Sequence, residues 1–210
     1  MKRTLAIIGA LVALAAFSWF FPLFHVVSRA ALQTAKEQKE FRAVDYVKDF
    51  WTTKLLPALS EAADASTVIA AFHESPDAAR TQFGRAAGLG RTSYYFLRGS
   101  GAITSVDNKQ IVVALDTSDN AKVALAVGPL FGNTVRDATG LLNGSNFPNS
   151  QQFNEISAEL NRTIEATVLP PLKERAKVGS VIAFVGCAEV TDPKRDLAPL
   201  KIVPLEVSFE

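Results

Sequence analysis

The chain has 210 residues, 22 basic against 21 acidic, for a formal net charge of +1. That balance excludes the clustered positive footprint of a nucleic-acid-binding protein. A single cysteine, Cys187, excludes an intramolecular disulfide, so an oxidising compartment is permitted but not exploited.

Behind Met1-Lys2-Arg3, residues 4–24 carry no charged side chain. A bilayer core is spanned by ~20 mainly apolar residues, so residues 1–27 are expected to be a transmembrane anchor. The alternative is a cleaved signal, with Ala13-Leu14-Ala15 as a small-x-small site. Phe17-Ser18-Trp19-Phe20-Phe21, beyond that site, suits the headgroup boundary better than a mature N-terminus. No cysteine lies in this region, which excludes lipid attachment at a lipobox cysteine. Lys2 and Arg3 are nearly balanced by Arg29, Lys36 and Lys39 on the other side. The short tail before the apolar run nevertheless resembles an export signal. The expectation is a single pass through the inner membrane with the soluble domain in the periplasm.

Residues 28–42 are polar and read as a helical stalk. Residues 43–98 form a helical region. Val44, Val47, Trp51, Leu55, Ala58 and Ala62 recur at spacings of three and four, the mark of an amphipathic helix. Pro57 is expected to kink it and to cost the amide bond to Thr53. A short helix over 67–72 is expected to be capped by Ser66. A further one has Ser75 as its cap, Pro76 at its first position, Asp77 in its first turn and Gly84 as its stop.

From residue 99 to 210 the pattern is β-rich. Gly99-Ser100-Gly101 leads into a strand over 102–106, a turn at Asp107-Asn108-Lys109, and strands over 111–115 and 123–127. After a long loop over 128–148, a helix is predicted over 150–169. Asn149 caps it, Gln152 reaches back, and Phe153, Ile156, Leu160, Ile164 and Val168 form its buried stripe. Pro170-Pro171 is expected to end it, and strands over 180–190 and 201–209 follow. Three strands, a helix and two strands is the element order of the OB-fold. The expected class is therefore α+β: an N-terminal transmembrane helix and helical region followed by an OB-like five-stranded β-barrel with an inserted helix. An open α+β sheet of the same elements is the alternative. Gly99 and Gly101 would let the first strand coil.

Catalytic arrangements are scarce. Only His25 and His73 are present, neither with a Cys or carboxylate at metal-ligand spacing. No Walker loop, nucleophile elbow or zinc signature occurs, so no metal, cofactor or catalytic residue is expected. The most suggestive stretch is Gly128-Pro129-Leu130-Phe131-Gly132-Asn133-Thr134-Val135-Arg136-Asp137. With Phe147 and Asn149 it gathers amide, guanidinium, carboxylate and aromatic groups, as a sugar-like ligand would need. Asn133, Arg136, Asp137, Phe147 and Asn149 are the candidate ligand- or partner-binding residues. The structural reading is that Arg136 and Asp137 pair while the asparagines make turns. Tyr94-Tyr95-Phe96 reads as an entry into the core face of the first strand.

The chain resembles the DUF2291 family of predicted periplasmic lipoproteins. The resemblance rests on Asp45-Tyr46-Val47 and Trp51 with Lys54-Leu55-Leu56-Pro57-Ala58-Leu59, on Gln82-Phe83-Gly84-Arg85 and on Gly99-Ser100-Gly101. It continues through Gly128-Pro129, Gly132-Asn133-Thr134-Val135-Arg136-Asp137, Phe147 with Asn149, Asn161 and Pro204-Leu205-Glu206-Val207. It implies a helical N-terminal part with an OB-like barrel and an accessory envelope role beside sugar or polyol ABC-transporter components. It carries over no catalytic residue. The expected function is thus a membrane-anchored, non-catalytic binding or accessory protein in solute uptake. An enzyme acting on an envelope carbohydrate, with Asp137 or another carboxylate as acid or base, is the alternative.

Overall fold

The computed structural model describes residue 28 and residues 41–86, 90–116 and 121–210. The expected membrane segment, 1–27, lies outside the described residues, as does the stalk apart from Ser28, Phe41 and Arg42. No helix among the described residues is long and apolar enough to cross a membrane.

Helix α1 (Ala43–Phe50) widens into a π turn over Trp51–Leu55, then continues as α2 (Leu56–Ala58) and a 3-10 turn over Leu59–Glu61. A π turn bonds residues five apart, and the Leu56 N–H accordingly donates to the Trp51 carbonyl. Pro57 has no amide to donate, and the chain widens just before it. The inserted residue rotates the buried face. Val47, Leu55, Ala58 and Ala62 of the expected stripe are buried with Phe50 beside them, Trp51 is half-buried, and only Val44 at its start is half exposed.

Strand β1 (Ala63–Asp64) leads into α3 (Ala65–Glu74), followed by α4 (Pro76–Phe83) and β2 (Arg85–Ala86). Asp64, not Ser66, caps α3. Its Oδ1 accepts from the Thr67 N–H at 2.8 Å, from the Thr67 hydroxyl at 2.9 Å and from the Ser66 hydroxyl. Ser75 caps α4 as expected, accepting from the Ala78 N–H at 3.4 Å.

The long strands are β3 (Ser93–Val106), β4 (Gln110–Leu115), β5 (Lys122–Ala126), β6 (Val181–Val190) and β7 (Leu200–Phe209). Between β5 and β6 lie α5 (Thr134–Ala138), a 3-10 turn over Gly144–Asn146, α6 (Ser150–Thr167) and α7 (Leu169–Arg175), and α8 (Pro193–Asp196) joins β6 to β7. The sheet has seven strands in the order β1-β3-β4-β5-β7-β6, with β2 against β3 and a further pairing of β3 with β6. It is mixed: β1 runs parallel to β3 and β5 parallel to β7, the other pairs being antiparallel.

The expected class of a five-stranded barrel after a helical region is corrected to a mixed α/β fold on this seven-stranded sheet. Two short strands arise where only helix was expected. β1 pairs Ala63 with Leu97 and β2 pairs Arg85 with Tyr94. They can do so because β3 begins at Ser93, ahead of the glycines, and buries Tyr94, Tyr95 and Leu97. Such pairing is a contact between distant segments and leaves no local periodicity.

Strand β3 serves two neighbours. Gly101 and Ala102 pair with Leu115 and Ala114 of β4, and also with Ile182 and Val181 of β6. A Cβ on Gly101 would lie 1.9 Å from the Ala114 carbonyl oxygen. Neither Gly99 nor Gly101 is among the positive-φ glycines, so what the strand needs there is space.

Helix α6 is capped by Asn149, whose Oδ1 accepts from the Gln152 N–H at 2.9 Å. Ile156, Leu160 and Ile164 are buried, and Phe153 and Val168 at the stripe's ends are half-buried. Pro170-Pro171 does not terminate helical structure. It opens α7, where prolines in the first turn forfeit no helical bond.

Candidate functional site

The chain leaves β5 through Val127-Gly128-Pro129, and two α6 side chains hold the segment that follows. Glu165 Oε1 accepts from the Leu130 N–H at 2.6 Å, and Asn161 Nδ2 donates to the Gly132 carbonyl at 3.0 Å. Gly132 has φ +83°, a left-handed turn that an L side chain rarely adopts. The segment carries Phe131 at its tip, 83% exposed.

Past the turn, α5 presents Arg136. Its Nε donates to Asp137 Oδ1 at 2.7 Å and its Nη2 to Asp137 Oδ2 at 3.0 Å, a two-pronged pair. Asn133 Nδ2 also donates to Asp137 Oδ2. The remaining Arg136 nitrogen, Nη1, reaches Asn154 Oδ1 at 3.1 Å, and the guanidinium carbon stands 4.0 Å from the centre of the Phe153 ring. Arg136 is only 9% exposed. A charge so far removed from water is held by pairing, hydrogen bonds and an aromatic face together.

The structure thus joins Asn133, Arg136 and Asp137 in one network. Phe147 reaches it indirectly, packing against Phe153 with ring centres 5.3 Å apart and against Tyr46 of α1 at 5.5 Å. Asn149 serves as the cap of α6, one turn before Phe153. Tyr94 lies beneath the same network. Burial pushes its phenol up, reinforced by the Glu189 and Asp137 carboxylates, against the hydrogen bond from Asn133 and the Arg136 charge.

A groove of about 650 Å³ runs between the 129–133 segment and α6. Asn133 and Arg136 line it; Asp137, Phe147 and Asn149 do not. The sequence reading missed the α6 contribution, namely Asn154, Ser157, Asn161 and Arg162. Asn154, Ser157 and Asn161 lie three, four and seven apart, a polar stripe beside the apolar one with Arg162 next to it, and that periodicity is the signal that could have found them. Ser157 is 7% exposed, and its hydroxyl has no hydrogen-bond partner. A second groove, of about 560 Å³, shares Pro129, Leu130 and Phe131 with the first and extends to Glu189, Thr191, Arg195 and Lys201.

Among the described residues no cluster of three His, Cys, Asp or Glu side chains could hold a metal ion. Cys187 is fully buried in β6, and burial pushes its thiol far up. That keeps it protonated and unreactive.

No curated protein matches the chain. Among solved structures, the fold is similar to that of an OB-fold protein from Thermotoga maritima. The two share 25% identity and a TM-score of 0.70 over 81% of this chain and 99% of the other. A family model matches residues 10–208, nearly the whole sequence, and by that match the chain belongs to the DUF2291 family, described as predicted periplasmic lipoproteins.

Proposed function

We propose that the protein is a non-catalytic binding module of the cell envelope that holds an uncharged polyhydroxyl ligand, a sugar or polyol, in the groove beside α6. The observation that carries this reading is the amide-rich lining of that groove, in which Asn133, Asn154 and Asn161 stand with the exposed Phe131. The planar amides of Asn154, Asn133 and Asn161 and the flat face of Phe131 offer the polar and apolar surfaces that a sugar ring presents in turn. Both arginines along the groove are paired, Arg136 with Asp137 and Arg162 with Glu159, and Glu165 accepts from the Leu130 amide. The ABC-type uptake components that the family resemblance implies are, on this reading, the partner that delivers or receives the ligand.

An enzyme would need a carboxylate free to move a proton. Both oxygens of Asp137 are occupied by Arg136 and Asn133, which supports binding over catalysis. The test is calorimetric titration of the full chain with a panel of neutral monosaccharides and polyols, repeated with Asn154→Ala. At least one compound should bind saturably. Asn154→Ala should weaken it about 10-fold, equivalent to ~1.4 kcal/mol, while lowering the melting temperature only a little, since Asn154 is exposed and gives up one hydrogen bond from Arg136. A panel without binders, or an affinity indifferent to Asn154, would overturn the reading.

A further inference from the structure

We infer that the ligand is an oligosaccharide rather than a single sugar, and that it crosses Phe131 from the α6 groove into the second groove. This rests on the sugar reading above and extends it. Two grooves of about 650 and 560 Å³ share the wall formed by Pro129, Leu130 and Phe131. Each falls within the ~300–1,000 Å³ of a complete small-ligand site, so a one-sugar ligand would leave the second without purpose.

The shared wall is built to stand up. Glu165 and Asn161 tie it to α6 on either side of Phe131, and the left-handed Gly132 turns the chain immediately after it. That holds an aromatic ring 83% exposed on the ridge between the grooves. Large exposed aromatics are costly to hydrate and serve as flat platforms for amphipathic rings.

The second groove has the same chemical character as the first. Its floor is apolar, formed by Ala126, Cys187 and Val203, and Glu189 and Asp196 balance Arg195 and Lys201. No excess charge is present to select an ionic headgroup. Glu189 is already engaged by the Thr134 hydroxyl at 3.2 Å, and Asp196 by the Thr191 and Asp192 amides at 2.8 Å. Arg195 and Lys201 remain as donors, suited to ligand hydroxyls.

The experiment measures affinity for neutral oligosaccharides of increasing length, in α- and β-linked series from monosaccharide to hexasaccharide, on the full chain. Affinity in one series should rise on the order of 10-fold or more with length and then level off. Phe131→Ala, exposed and therefore harmless to the fold, should abolish the gain. So should the double variant Arg195→Ala with Lys201→Ala. Equal affinity at every length, or a gain that survives both variants, would overturn the crossing while leaving the single-groove reading intact. Failure of every saccharide, short or long, would instead remove the sugar reading and this inference with it.

Discussion

Arg136 shows how one side chain can belong to a groove wall and to the architecture at once. Its guanidinium contacts Asp137, Asn154 and the Phe153 ring, so it joins α5 to α6. Removing one partner of a buried pair typically costs ~3–5 kcal/mol. Arg136→Ala should therefore lower the urea midpoint strongly, and Arg136→Lys should recover only part, because a lysine cannot make the two-pronged contact. An unchanged midpoint would show that Arg136 is free for other contacts. Asp64 acts at the surface. Burial pushes its carboxyl up, but the hydrogen bonds from Ser66 and Thr67 and the Arg98 charge outweigh that and hold it below the usual carboxylate range. A carboxyl lowered on folding contributes its stability above its unfolded pKa of ~3.9 and loses it as pH falls through the folded value. Asp64→Ala should thus cost about 1 kcal/mol at neutral pH as a lost helix cap. The stability of the variant should also fall less steeply below about pH 4. Equal acid slopes for the two proteins would refute that account.

At the scale of elements, the decisive feature is the change of partner along β3. Leu97 pairs with Gly186 of β6, whereas Ile103 pairs with Val113 of β4, and Gly101 stands where both ladders overlap. Because a Cβ there would meet the Ala114 carbonyl at 1.9 Å, even Gly101→Ala must push a backbone carbonyl aside. We expect a loss of about 2 kcal/mol or more, read as a fall in melting temperature. An alanine variant as stable as the parent would contradict the tight double pairing. The helices were easier to read. Asn149, Ser75 and the apolar stripe of α6 act within a few residues of each other, and the structure finds them as expected. The π turn and the role of Pro170-Pro171 were not legible, since a proline is compatible with ending a helix or starting one. Which it does depends on whether the following turn finds something to bury; here Leu169 and Leu172 pack inward.

For the molecule as a whole, the sequence by itself determined its charge balance, the five long strands and the capped helix. These are consequences of periodicity and capping, which act over a few residues. Family membership was legible too, from scattered short motifs along nearly the whole chain, now matched over 10–208. Only the tertiary structure decided that two further strands join β3, that Ser157 is buried beside a groove, and that Arg136 is held among Asp137, Asn154 and Phe153. It also decided that Phe131 stands in solvent between two grooves. Burial depends on which distant surface arrives to cover a residue. Local sequence specifies the faces a helix or strand presents, but the pairing of β3 with β6 and the approach of 129–133 to α6 settle which of those faces are left open.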